Sequence, residues 1–140
     1  MDTTIEAALP FVDEHALTID ASRGAVWAAL ERFVDGMIGG AGNDLLARVL
    51  GAEPRGGFAI AERVPLRELV LEGRHRFARY RLSFALADAQ GGGTVLRALT
   101  HAEFPGARGK VYRALVIGTR LHVAATRGML HAVKRRCLAS

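Results

Sequence analysis

Residues 79–104 read RYRLSFALADAQGGGTVLRALTHAEF, a stretch that alternates, turns and alternates again. Tyr80, Leu82, Phe84 and Leu86 are interleaved with Arg79, Arg81, Ser83 and Ala85, which is the two-residue period of a strand with one apolar face. Asp88 to Gly93 then reads as a hairpin connection, because its three glycines supply the positive φ angles that such turns need. Thr94 to Phe104 is the returning strand. It carries Leu96, Ala98, Thr100, Ala102 and Phe104 on one side and Val95, Arg97, Leu99, His101 and Glu103 on the other. Pro105-Gly106 breaks it.

Beyond Gly106 the period becomes helical. From about Ala107 to Arg136, Val111, Leu115, Gly118, His122, Ala125, Met129 and Ala132 form one stripe. Arg113, Arg120, Arg127 and Lys134 recur every seven residues on another side, and seven residues fall only about 20° short of two turns. Such a helix is on the order of 45 Å long. It also holds the basicity of the chain: residues 106–140 contain eight Arg or Lys and no acid, whereas the rest carries eleven bases against all fourteen acids.

Ahead of the hairpin, Phe11 to Asp20 alternates as a strand, with a phase change near Glu14. Asp20 or Ser22 can cap a helix over about Arg23 to Val34, in which Val26, Trp27, Leu30, Phe33 and Val34 share a face, and Gly36 ends it. After a glycine-dense stretch, Asn43-Asp44 can cap a second short helix to about Leu50. Three extended segments follow: Phe58 to Val64, Arg67 to Gly73, and Arg74 to Asp88, with Pro65 marking the first turn. The order predicts an α+β fold in which an antiparallel sheet, with two short helices after its first strand, wraps a long C-terminal helix.

With 140 residues, half of them hydrophobic, the chain can bury a core without staples. We read residues 1–10 as a loose lead-in and 11–140 as a single domain. The single cysteine, Cys137, excludes an internal disulfide and fits a reducing compartment. It reads either as a thiol whose pKa is lowered by Lys134, Arg135 and Arg136 or as an incidental thiol on a fraying terminus. No signal peptide or membrane-length apolar run is present, so the expected location is cytoplasmic. Histidine and cysteine show no metal-ligand spacing, and no nucleotide or phosphate loop is formed, so no metal and no cofactor are expected.

Leu17-Thr18-Ile19-Asp20-Ala21 leading into Val26-Trp27-Ala28-Ala29-Leu30, the Gly93-Thr94 start of a long strand, and the closing amphipathic helix resemble the START / polyketide cyclase / birch-pollen-allergen superfamily. The resemblance covers about Phe11 to Arg136. It implies the helix-grip fold, a curved antiparallel sheet around the last helix, although the family usually has six or seven strands and five are readable here. It also implies a small hydrophobic ligand (lipid, polyketide or quinone class) held between sheet and helix. On that reading Trp27, Phe58, Leu71, Phe77 and Phe84 are wall candidates, joined by Leu115 and Met129 of the helix. Tyr80, Thr100 and His122 could orient a ligand, or be ordinary core and surface groups. If the protein is a cyclase or dehydratase instead, His122, Tyr80 and Arg79 are the candidates for proton transfer and carbonyl polarisation. The row Arg113, Arg120, Arg127 and Lys134 is either the solvated back of the helix or a contact for an anionic membrane or RNA. No reaction is legible in the sequence.

Overall fold

The computed structural model describes residues 9–39, 58–75, 78–104, 106–116 and 121–139. Its elements are β1 (Phe11–Ile19), α1 (Arg23–Gly39), β2 (Ala59–Val64), β3 (Glu68–His75), β4 (Ala78–Asp88), β5 (Thr94–Glu103), α2 (Gly106–Val116) and α3 (Leu121–Ala139). The strands form one antiparallel sheet in the order β1-β5-β4-β3-β2. The α+β architecture is therefore the expected one, with five strands, but the single long helix expected over about 107–136 is described as two elements, α2 and α3, with 117–120 outside the described residues. The second short helix, expected over 43–50, falls outside the described residues, as does most of the lead-in.

Two boundaries move. The helix after β1 does not stop at Gly36 but runs to Gly39. β3 continues through Arg74 and His75, and the register sets His75 opposite Ala78. β3 and β4 are therefore joined after His75, not at Gly73, and the segment expected from Arg74 begins at Ala78. No glycine, proline or asparagine stands between His75 and Ala78 to announce that turn.

Local chemistry explains the elements. Ser22 is the cap of α1: its Oγ accepts from the Ala25 backbone N–H at 3.1 Å, satisfying one of the free donors of the first turn. Ser22→Ala is expected to cost about 1 kcal/mol, read as a lower urea midpoint with unchanged slope. The β4–β5 connection has positive φ at Gly91, Gly92 and Gly93. It is held by Gly92 N–H donating to the Ala89 carbonyl and Ala89 N–H donating to the Gly93 carbonyl. The phase change expected near Glu14 lies earlier in β1, as a register shift between Phe11 and Asp13, and alternation is unbroken from Asp13 to Ile19.

One face of the sheet holds the core. Leu69 and Leu71 of β3, Leu82, Phe84 and Leu86 of β4, and Leu96 and Ala98 of β5 pack against Val26, Trp27, Leu30 and Val34 of α1. From α3 they receive Leu130, Val133 and Cys137. The buried stripe of α3 is thus Thr126, Leu130, Val133 and Cys137. It lies one residue round from the stripe expected through Ala125, Met129 and Ala132; Ala125 is exposed and Met129 half-buried. The reason is that alanines and a methionine mark a face weakly, and the position of α1 beside α3 decides which side is covered. Val111, expected on the same stripe, is 62% exposed. Cys137 is part of the core and α3 continues past it to Ala139, so it is not a thiol on a fraying end.

Candidate functional site

The register places a band of polar groups on the core-facing side of the sheet. Asp13 of β1 is opposite Thr100 of β5, and His15 is opposite Ala98. Thr100 is opposite Leu82, and Tyr80 is opposite Ala102. Asp13, His15, Thr100 and Tyr80 therefore project from the same face as Leu82, Phe84 and Leu96, across three neighbouring strands. All four are half-buried. Within the band His15 Nε2 and Asp13 Oδ2 are 3.0 Å apart, a carboxylate holding an imidazole in a fixed orientation.

Beside the band is an aromatic pair. Phe58 and Tyr80 meet edge to face, with ring centroids 5.1 Å apart. Gly73 is opposite Tyr80 in β3, and Ala59, the residue after Phe58, is opposite Glu72. Gly73 has no side chain, so the two rings can close over its backbone, and their faces extend the apolar surface outward from Leu71 and Leu82. The sheet thus has two zones. Toward Ile19 and Leu86 the space beneath the helices is occupied by the packed core; toward Tyr80 and Thr100 the side chains are only partly covered.

The residues singled out from the sequence divide between these zones. Trp27, Leu71 and Phe84 are buried in the core. Phe58 and Met129 pack at its margin, and Tyr80 and Thr100 share the half-buried zone. Arg79 projects from the opposite face, exposed and 3.8 Å from Glu103, so strand alternation separates it from Tyr80. His122 and Leu115 lie in α3 and α2, with side chains outside the described residues; Phe77 and Arg120 lie outside them altogether. His122 stands four residues ahead of the buried Thr126.

The basic row is spread over different environments. Arg113 is exposed and lies 6.0 Å from the Phe104 ring centroid. Arg127 is exposed and Lys134 half-buried. The outer face of the sheet is laced by ion pairs, Arg81 with Glu72, Arg79 with Glu103 and Arg97 with Glu14, which accounts for the arginines of β4 and β5 on that face. Glu72 therefore serves the outer face.

Sequence reasoning missed Asp13 and His15. The signal was the phase change in β1. Counted from Ile19 backward, Leu17, His15 and Asp13 occupy the inward positions, and only the shift between Phe11 and Asp13 ends that count.

The chain resembles solved structures across most of its length. It matches the di-domain ARO/CYC StfQ from the steffimycin biosynthetic pathway with a TM-score of 0.56 and 14% identity, over 91% of this chain and 50% of that one. Mll3558 from Rhizobium loti gives a TM-score of 0.56 and 20% identity, over 89% of this chain and 94% of that one. The di-domain ARO/CYC BexL from the BE-7585A biosynthetic pathway gives 0.51 and 15%, over 89% and 49%. This chain has the helix-grip fold. It spans about half the length of StfQ and of BexL. No protein-family profile and no curated protein sequence matches it. At these identities the helix-grip likeness carries the architecture alone. Among the described residues no helix is long and apolar enough to cross a membrane.

Proposed function

We propose that the protein binds a small, mainly apolar molecule bearing hydrogen-bonding oxygens, against the half-covered zone of the sheet. The observation that carries this reading is the polar band Asp13–His15–Thr100–Tyr80 on an otherwise apolar face, next to the Phe58–Tyr80 pair. A few polar side chains on an otherwise apolar surface are what fixes a ligand's orientation. A ligand with an aromatic or acyl body and one or two carbonyl or hydroxyl groups matches both parts: apolar area against Phe58, Leu82 and Tyr80, polar atoms against Thr100 and the His15–Asp13 pair. The ARO/CYC names of StfQ and BexL favour a polyketide-like body among such molecules.

Native mass spectrometry of the purified protein, followed by thermal shift with polycyclic phenols, quinones and fatty acids, tests this. A ligand at a hundred times its Kd stabilises by about 2.7 kcal/mol, a rise of several degrees. Tyr80→Ala and Thr100→Val are each expected to reduce that rise. If no member of the panel raises the melting temperature, or if both variants respond like the wild type, the reading is wrong.

A second reading, a cofactor-free cyclase or dehydratase, is favoured by one observation, the His15–Asp13 pair. An imidazole held by a carboxylate can take a proton from a carbon next to a carbonyl. The resulting enolate carbon then bonds to a second carbonyl carbon of the same molecule. The alkoxide formed is protonated by the imidazolium, and water leaves when the ring becomes unsaturated. On that reading His15→Gln abolishes turnover of a linear polyketone but leaves its binding intact; equal loss of both would reduce His15 to a binding group.

A further inference from the structure

The helix that follows β5 has no part in the proposed function. α2 contains Arg108, Lys110 and Arg113 and no acid. The rest of the protein covers it poorly: Lys110, Val111, Arg113 and Ala114 are exposed, and Gly109 is buried. The helix therefore rests on the protein through the side of Gly109. Val111 stands about 200° round from Gly109 and points away from the protein. Ala114, three residues on, shares its face. Lys110 and Arg113, also three residues apart, run beside this apolar strip.

The same end of the sheet carries a second uncovered apolar group. Phe11 of β1 is opposite His101 of β5, and the Pro10 carbonyl accepts from the Ala102 N–H, so β1 starts where β5 finishes. Arg113 lies 6.0 Å from the centroid of the Phe104 ring, just after β5, which keeps α2 beside that end. Phe11 and Val111 are 58% and 62% exposed, the highest values for large apolar side chains among the described residues. The last outward row of the sheet, Arg74–Arg79–Glu103, sets two bases against one acid, and α2 adds bases alone. One end of the molecule thus combines positive charge with two bare apolar side chains.

We propose that this end docks on an anionic lipid surface, with α2 lying in the plane of the headgroups. Lys110 and Arg113 meet the lipid phosphates and carboxylates, while Val111 and Phe11 reach the acyl boundary. Nucleic acid would satisfy only half of this surface. An exposed aliphatic side chain such as Val111 gains nothing from a backbone of phosphates and sugars, but gains apolar burial in a bilayer. Docking needs no ligand in the sheet zone.

Co-sedimentation with vesicles tests this, using phosphatidylcholine with and without phosphatidylserine, and a single-stranded oligouridylate as competitor. The protein is expected to bind the phosphatidylserine vesicles, to be released by added salt, and to bind phosphatidylcholine alone only weakly. Lys110→Gln and Arg113→Gln are each expected to weaken binding about fivefold. Phe11→Ser and Val111→Ser combined should weaken it about tenfold or more. All four side chains are exposed, so the variants should fold normally, as circular dichroism checks. The inference is overturned if phosphatidylserine vesicles do not sediment the protein, or if either pair of variants binds them as the wild type does. It is overturned too if the oligonucleotide displaces the protein from the vesicles, since the surface would then serve nucleic acid. Loss of vesicle binding in Tyr80→Ala also overturns it, because lipid would then be held in the sheet zone. Vesicle binding kept in Tyr80→Ala supports docking, whether or not the ligand reading stands.

Discussion

Phe84→Ala is expected to lower stability by about 3–5 kcal/mol. Phe84 has no exposed surface and sits at the middle of the sheet, with Leu69 opposite it on β3 and Ala98 opposite it on β5. Both neighbours are fully buried as well. Removing the ring deletes contacts on every side, and a sheet cannot close the space because its strands are held about 4.8 Å apart by their ladder. The alanine at position 98 makes matters worse, since it has no length with which to fill the void. A domain of this kind has roughly 5–15 kcal/mol in total, so the variant should melt on the order of 10 °C lower, as read by calorimetry. A loss below about 1 kcal/mol would mean that Phe84 borders a ligand space instead of packing against protein, and would return it to the wall candidates. Phe84→Leu, with less volume removed, should fall between the two.

Gly93→Ala should cost about 2–4 kcal/mol, far more than a methyl group on a hairpin would ordinarily cost. Gly93 has φ near +84°, where a side chain is disfavoured by about 1–2 kcal/mol. An added Cβ would also lie 2.7 Å from the Ile19 carbonyl oxygen. That oxygen belongs to backbone engaged elsewhere: it accepts from the Ala21 N–H at 2.9 Å, and the neighbouring Ala21 carbonyl accepts from the Thr94 hydroxyl at 2.9 Å. Thr94 itself is fully buried. The end of β1, the start of β5 and the entry to α1 are therefore locked together around one missing methyl group. Gly91→Ala makes the control, because it shares the positive φ, yet a Cβ there meets nothing within 4 Å. Urea denaturation should show Gly93→Ala clearly more damaging than Gly91→Ala. Equal effects would show that only the backbone angle matters and that the close approach to Ile19 is unimportant.

The same fragment shows what a sequence can disclose. Alternation over 80–86 and 94–104 predicts which residues of β4 and β5 face the core, and Leu82, Phe84, Leu86, Leu96, Ala98 and Ala102 are buried accordingly. Periodicity is local, so it needs no partner to be read. The triple glycine reveals the hairpin for the same reason, and Ser22 is one of two side chains that could cap the next helix.

Where the signal was weak, neighbours decided. On α3 every side carries alanine or another small residue, so the buried stripe through Leu130, Val133 and Cys137 follows from the placement of α1 and β1. The end of β3 at His75 has no turn residue after it to mark it and is set by the pairing of β3 with β4. The candidate site belongs to this second kind. Asp13 and His15, two residues apart on one strand face, come to lie beside Thr100 only through the register of β1 on β5. The amino-acid order by itself determined the elements, their apolar faces and the excess of base in the last quarter of the chain, since each depends on residues a few positions apart. Tertiary structure alone decided that the Asp13–His15 pair lies beside Thr100, because that meeting joins positions some 85 residues apart in the chain, and no local period reaches that far.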